Sequence, residues 1–241
     1  MALQDIQTSM VEYQSDGTKI AAFLARPAGA GPYPAMLVLQ EWWGLNNHIK
    51  DIAMRLANEG YVALAPDLYA RQGNKVTTDA TEAGTLMGNL KDEVTLQDLR
   101  AAVAYLKSQS QVSPQRIGVI GFCMGGTYAL LAGENIPDIK ASVPFYGQIV
   151  YDSPGGPIDQ VAKLGCPLMY IYGEADGWIT HDHVNRLEAT LKQHGKNGQV
   201  VRYKDAPHAF FNDTRLESYR ANEARDAWDR TLKFLAQHLK G

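Results

Sequence analysis

The hydrophobic positions of the chain fall into blocks of two alternating kinds. Ala35-Met36-Leu37-Val38-Leu39, Tyr61-Val62-Ala63-Leu64-Ala65-Pro66, Arg116-Ile117-Gly118-Val119-Ile120 and Leu168-Met169-Tyr170-Ile171-Tyr172 are near-continuous apolar or β-branched runs, and 141–146 and 199–203 resemble them. Runs of that length mark strands, the continuous ones buried on both faces. Between them, apolar residues return at helical spacing: Ile49, Ile52, Ala53, Leu56 and Ala57; Leu96, Leu99, Val103 and Leu106; Val184, Leu187 and Leu191; Ala224, Trp228, Leu232, Leu235 and Leu239. The stretch 127–132 has the composition of a buried helix. Near the start, strand-like 10–13 and 19–26 flank Ser15-Asp16-Gly17-Thr18, whose Asp-Gly pair predicts a hairpin. Polar 67–93 reads as loop with some helix, and Pro/Gly-punctuated 150–165 as loop.

Strands alternating with helices predict an α/β fold: a mostly parallel central sheet with helices on both faces and an antiparallel edge at its start. In such sheets the ligand site lies beyond the carboxyl ends of the strands. The expectation is one domain over 1–241 without a separate lid.

Composition narrows the function classes. A net charge of −3 and a pI near 6.1 supply no basic stripe, so nucleic acid is not expected as a partner. No run of 18 apolar residues suggests a membrane span. Met1-Ala2-Leu3-Gln4-Asp5-Ile6 lacks the basic segment and apolar core of a signal peptide, so a cytoplasmic location is expected. Two cysteines, Cys123 and Cys166, cannot form a disulfide framework, and Cys166 in Gly165-Cys166-Pro167 reads as packing. With no Cys/His cluster, neither a metal nor a cofactor is expected. The implied partner is a small molecule, met by a monomer.

The chemistry centres on Gly121-Phe122-Cys123-Met124-Gly125-Gly126, which follows an apolar strand and precedes a helix. G-x-C-x-G is the cysteine form of the nucleophile elbow, a turn tight enough to strain the nucleophile's backbone and to require glycine beside it. The following helix would aim its dipole at the sulfur and offer the Met124 N–H to an oxyanion. Free cysteine is also among the most buried residue types, so the hexapeptide alone is only moderately specific. Asp176 follows one apolar strand through Gly173-Glu174-Ala175, and His208 follows the last through Asp205-Ala206-Pro207. Cys123, Asp176, His208 is the nucleophile, acid, histidine order of α/β-hydrolases. Cys123 would attack an acyl carbon, His208 would move protons, and Asp176 would fix the imidazole tautomer. The N–H of Trp42, in the loop after the third strand, is the second candidate oxyanion donor.

Gln40-Glu41-Trp42-Trp43-Gly44, Pro66-Asp67-Leu68-Tyr69-Ala70-Arg71, the elbow, Tyr146-Gly147 and Pro207-His208-Ala209-Phe210 together resemble dienelactone hydrolase (carboxymethylenebutenolidase) over nearly the whole chain. The resemblance implies a small, lidless α/β-hydrolase that opens a lactone or cleaves a small carboxylic ester through an acyl-cysteine, with Cys123, Asp176 and His208 as triad. It also implies that Glu41 lies beside the nucleophile as a second base. In that family arginines bind the substrate carboxylate, one of them four residues after the histidine; here that position is Asn212, and 77–90 holds no arginine. A neutral amide cannot replace a guanidinium fork. Arg71 and Arg215 are the nearby alternatives, and Tyr69, Arg71, Tyr146, Trp178, Phe210 and Asn212 are the candidate substrate contacts. Trp42, Trp43, Tyr69, Tyr146, Trp178, Phe210 and Phe211 all lie within a few residues of a strand end, and so aromatic a set predicts an uncharged lactone or aryl ester. A thioesterase, a small peptidase or a ligand-binding relic on the same scaffold are the competing readings.

Overall fold

The structure, a computed structural model, describes residues 5–240; residues 1–4, read above for a leader, and residue 241 lie outside it. Eight strands, β1 (Ile6–Ser15), β2 (Thr18–Pro27), β3 (Tyr33–Leu39), β4 (Val62–Pro66), β5 (Val112–Phe122), β6 (Ile139–Phe145), β7 (Leu168–Gly173) and β8 (Gly198–Tyr203), form one sheet. Its order is β1-β2-β4-β3-β5-β6-β7-β8. The β1-β2 and β2-β4 pairs are antiparallel, whereas β3-β4, β6-β7 and β7-β8 are parallel. The helices are α1 (Asn47–Asn58), α2 (Ala80–Gly88), α3 (Asp92–Ser108), α4 (Met124–Asn135), α5 (Pro157–Gln160), α6 (His181–Gln193) and α7 (Ala221–Leu239). This is the mostly parallel α/β architecture that the alternation of blocks predicts. Contacts gather the chain into two compact units that divide inside β5, after Gly118.

In the first unit the Asp-Gly hairpin forms as a two-residue turn, with Asp16 at φ 46° and Gly17 at φ 72° joining the Ser15 and Thr18 partners. β1 runs further than its apolar residues suggest, because it pairs with β2 residue for residue from Ile6 to Ser15 while much of it stays exposed. The backbone ladder, rather than side-chain burial, carries its ends. On α1, Asn46 caps the first turn by accepting from Ile49 N–H at 3.2 Å, and Ile49, Ile52, Ala53, Leu56 and Ala57 are buried at their helical spacing. The polar excursion after β4 contains α2, N-capped by Asp79, whose only buried residues are Ala83 and Leu86.

In the second unit β7 is buried along its whole length, and α4 is buried from Met124 through Glu134. A helix with no polar face has no amphipathic period to read. α6 buries Val184, Leu187 and Leu191 as its spacing predicts. On α7 the stripe shifts: Ala227, Thr231 and Phe234 are buried with Ala224, Leu235 and Leu239, leaving Trp228 and Leu232 half-buried. The segment 150–165 is not all loop, since Pro157 opens the single turn of α5 and a 3-10 turn, Val161–Lys163, follows. No helix among the described residues is long and apolar enough to cross a membrane.

Candidate active site

β5 ends at Phe122 and α4 begins at Met124, so Cys123 alone makes the turn. Its backbone sits at φ 54° and ψ −118°, where a non-glycine residue is strained. Hydrogen bonds hold it there: Cys123 N–H donates to Phe145 O at 3.0 Å, and Cys123 O accepts from Gly126 N–H at 2.9 Å and Thr127 N–H at 3.2 Å. The flanking glycines are there for lack of space. A Cβ at Gly121 would run into the carbonyl of Gly125, and one at Gly126 into that of Phe145. Met124 opens α4, where backbone N–H groups point out of the helix and the dipole is positive.

Asp176 lies in the loop after β7, and the loop after β8 holds it in place. Glu174 N–H donates to Tyr203 O at 2.9 Å and Ala175 N–H to Ala206 O at 3.1 Å. The carboxylate is buried, and both of its oxygens are used. Oδ1 accepts from Trp178 N–H at 2.8 Å and Ile179 N–H at 3.0 Å, and Oδ2 lies 2.7 Å from His208 Nδ1. Those bonds favour the tautomer with the proton on Nδ1 and turn Nε2 away from the acid.

The imidazole is packed between two aromatic rings, Tyr146 at 5.1 Å and Trp178 at 5.0 Å between centroids. Burial alone would pull the His208 pKa down. The neighbouring Cys123 sulfur, together with the hydrogen bond and charge of Asp176, outweighs it, and the pKa is pushed up to about 10. Nε2 is buried and makes no hydrogen bond of regular geometry among the described residues. Backbone strain gathers around the same place: Tyr146 and Ala209 also have positive φ, 40° and 61°.

The remaining candidates are placed as follows. Phe210 is fully buried, its ring 5.7 Å from Tyr146 and 5.2 Å from Tyr203. Asn212 is buried too, and its Oδ1 accepts from Thr214 N–H at 3.0 Å and Thr214 Oγ1 at 2.7 Å, an Asx turn that shapes the loop after the histidine. Arg215 pairs with Glu217 at 3.0 Å. Trp178 is 56% exposed. In the first unit Gln40 and Glu41 are buried at the end of β3, and Trp42 and Trp43 pack ring to ring at 4.9 Å. Tyr69 is buried with its hydroxyl donating to Trp42 O at 2.9 Å. Arg71 grips Asp98 with Nε and Nη2 at 2.9 and 2.8 Å, and reaches Thr18 Oγ1 and Ser15 O, so its guanidinium ties the β1-β2 turn to α3.

Sequence reading passed over two buried acids. Asp67 at the end of β4 has its pKa pushed up to about 6, burial outweighing the hydrogen bond from Tyr69 N–H and the charge of Lys50. Glu134 on α4 is pushed up to about 9 by burial against the pull of Lys163. Cys166 is also buried, its thiol pushed up to about 12 by burial, an environment for an inert packing cysteine. No group of three or more potential metal ligands exists among the described residues.

Comparison with known proteins adds the family. Residues 20–239 match the model of the dienelactone hydrolase family. A Bradyrhizobium protein provisionally named a 2-oxo-3-(5-oxofuran-2-ylidene)propanoate lactonase is 37% identical over 100% of this chain and 98% of its own length. A Methylorubrum extorquens protein provisionally named a carboxymethylenebutenolidase is 40% identical over 91% of this chain and 77% of its own. Among solved structures, a Klebsiella pneumoniae protein provisionally described as a dienelactone hydrolase superposes with a TM-score of 0.92 at 34% identity, covering 98% of this chain and 100% of that one.

Proposed function

Because the chain belongs to the dienelactone hydrolase family and is a carboxylic ester hydrolase of that kind, we propose that it opens a lactone or cleaves a small ester through Cys123, His208 and Asp176. One observation carries the proposal. A cysteine strained at a strand-to-helix elbow is accompanied by a histidine whose Nδ1 is 2.7 Å from a buried aspartate with both oxygens hydrogen-bonded.

In the proposed reaction the Cys123 thiolate attacks the acyl carbon, and the carbonyl electrons move to the oxygen, which the Met124 N–H receives at the start of α4. The oxyanion collapses, the carbon–oxygen bond of the ester breaks, and protonated His208 gives its proton to the departing alkoxide. In a lactone that alkoxide stays tethered to the acyl group. Neutral His208 then takes a proton from water as the water attacks the thioester, and collapse of the second oxyanion releases the acid and restores the thiolate. Asp176 holds the imidazole and stabilises its charged form throughout. From the family resemblance, the same reading takes Glu41 as a second base and the Trp42 N–H as a second oxyanion donor.

Cys123→Ala tests the proposal: it abolishes hydrolysis of nitrophenyl acetate, and in the parent protein iodoacetamide labels Cys123 well before Cys166. Retained activity in the variant, or equal labelling of the two cysteines, contradicts it.

A further inference from the structure

Four large apolar side chains are exposed among the described residues: Met10, Val76, Trp178 and Leu216. Trp178 is set apart by where it stands. Its indole packs on the His208 ring at 5.0 Å and an interplanar angle of 38°, while more than half of its surface remains open to solvent. A side chain of this size gains by burial, so an exposed indole beside a reactive histidine is uncovered at a stability cost.

The backbone that carries the indole is also held in place. The Trp178 N–H donates to Asp176 Oδ1 at 2.8 Å, and two residues later Thr180 caps α6, its Oγ1 accepting from His183 N–H at 3.2 Å. Both ends of the short segment that carries the ring are therefore fixed, and little backbone entropy remains to be lost when a ligand settles on it. The two arginines and the amide most readily assigned to a substrate carboxylate are engaged within the fold. Arg202 is held by Glu188, Asn185 and the Tyr172 hydroxyl, Arg215 pairs with Glu217, and Asn212 uses its amide oxygen in a turn.

We propose that Trp178 is a specificity-determining residue: its exposed indole face stacks on the planar, unsaturated part of an uncharged aryl ester or conjugated lactone whose acyl carbon is presented to Cys123. This rests on the reaction proposed above and narrows its substrate class. The selectivity comes from a π surface beside the imidazole, and substrates without a flat group gain nothing from it.

The test compares naphthyl acetate with ethyl acetate in the parent protein, Trp178→Phe and Trp178→Ala. Each variant is measured against the parent for each substrate, so the different leaving groups cancel. Trp178→Ala lowers kcat/KM for naphthyl acetate roughly three- to ten-fold more than for ethyl acetate, mostly through KM, and Trp178→Phe restores most of the difference. Naphthol, titrated calorimetrically into Cys123→Ala with and without Trp178→Ala, binds more weakly by a similar factor when the indole is absent. Equal losses for both esters make Trp178 only a support for His208 and overturn the proposal, as does unchanged naphthol binding. Activity retained by Cys123→Ala strikes the cysteine mechanism instead, and the naphthol titration still judges Trp178 on its own.

Discussion

Glu134 gives the fold a pH dependence that can be worked out from the structure. It sits in the last turn of α4, 5% exposed, and neither carboxyl oxygen has a hydrogen-bond partner among the described residues. Burial pushes its pKa from an ordinary 4.5 to about 9, with Lys163 pulling the other way. The folded protein therefore keeps the proton through neutral pH, whereas the unfolded chain releases it above its ordinary pKa. Unfolding then releases a proton, so stability falls as pH rises from the unfolded pKa to the folded one and is level outside that window. Each pH unit inside the window is worth about 1.4 kcal/mol, which makes this group's contribution fall by ~2–4 kcal/mol between about pH 5 and pH 8. Glu134→Gln removes the titration while keeping the shape. Urea unfolding of parent and variant across that range checks it: the difference in stability grows with pH in favour of the variant. Any constant offset from burying the new amide does not affect the slope. A difference that stays flat with pH refutes the reasoning.

Other predictions address the site and its scaffold. Asp176→Asn removes the charge at Nδ1 and, with the amide oxygen kept by the Trp178 and Ile179 N–H groups, the hydrogen-bond acceptor there; it lowers kcat roughly 10³-fold or more and moves the alkaline loss of the His208 proton below its present value of about 10, read from the pH dependence of the imidazole NMR resonances. Gly126→Ala drives a methyl group into the Phe145 carbonyl and destabilises the fold by about 2 kcal/mol or more, measured by urea midpoint, with activity lost at the same time. Arg71→Ala breaks the fork to Asp98 and the contacts to the hairpin, costing about 1–2 kcal/mol of stability. KM for nitrophenyl acetate stays within about two-fold in that variant, because its guanidinium is committed to the fold.

The residues with a fixed local chemistry were the ones legible in the sequence. The continuous apolar runs became β3, β4 and β7, the Asp-Gly pair became a hairpin turn, and the glycines around Cys123 proved to lie against backbone carbonyls. The closeness of Asp176 to His208 followed from chain order and strand ends, because in a parallel sheet successive carboxyl ends gather on one edge. What could not be read is what depends on burial. Tyr69, Phe210 and Asn212 lie in motifs that the family resemblance ties to the substrate, yet all are buried, and nothing in their spacing announces it. Trp178 has the same kind of address and is exposed. Glu134 escaped notice for the opposite reason, since α4 is buried around its whole circumference and a glutamate at its end looks like an ordinary solvent-facing residue until the helix is placed. The length of β1 was hidden because ladder hydrogen bonds leave no hydrophobic trace.

The acyl-enzyme is the most direct test of the whole account. Protein quenched in acid within its first turnover of nitrophenyl acetate, then digested and analysed by mass spectrometry, carries one acetyl group on Cys123 and none on Cys166. The adduct accumulates further when Asp176 is replaced by Asn and deacylation slows. An unmodified Cys123 under conditions where the ester is being consumed contradicts the account.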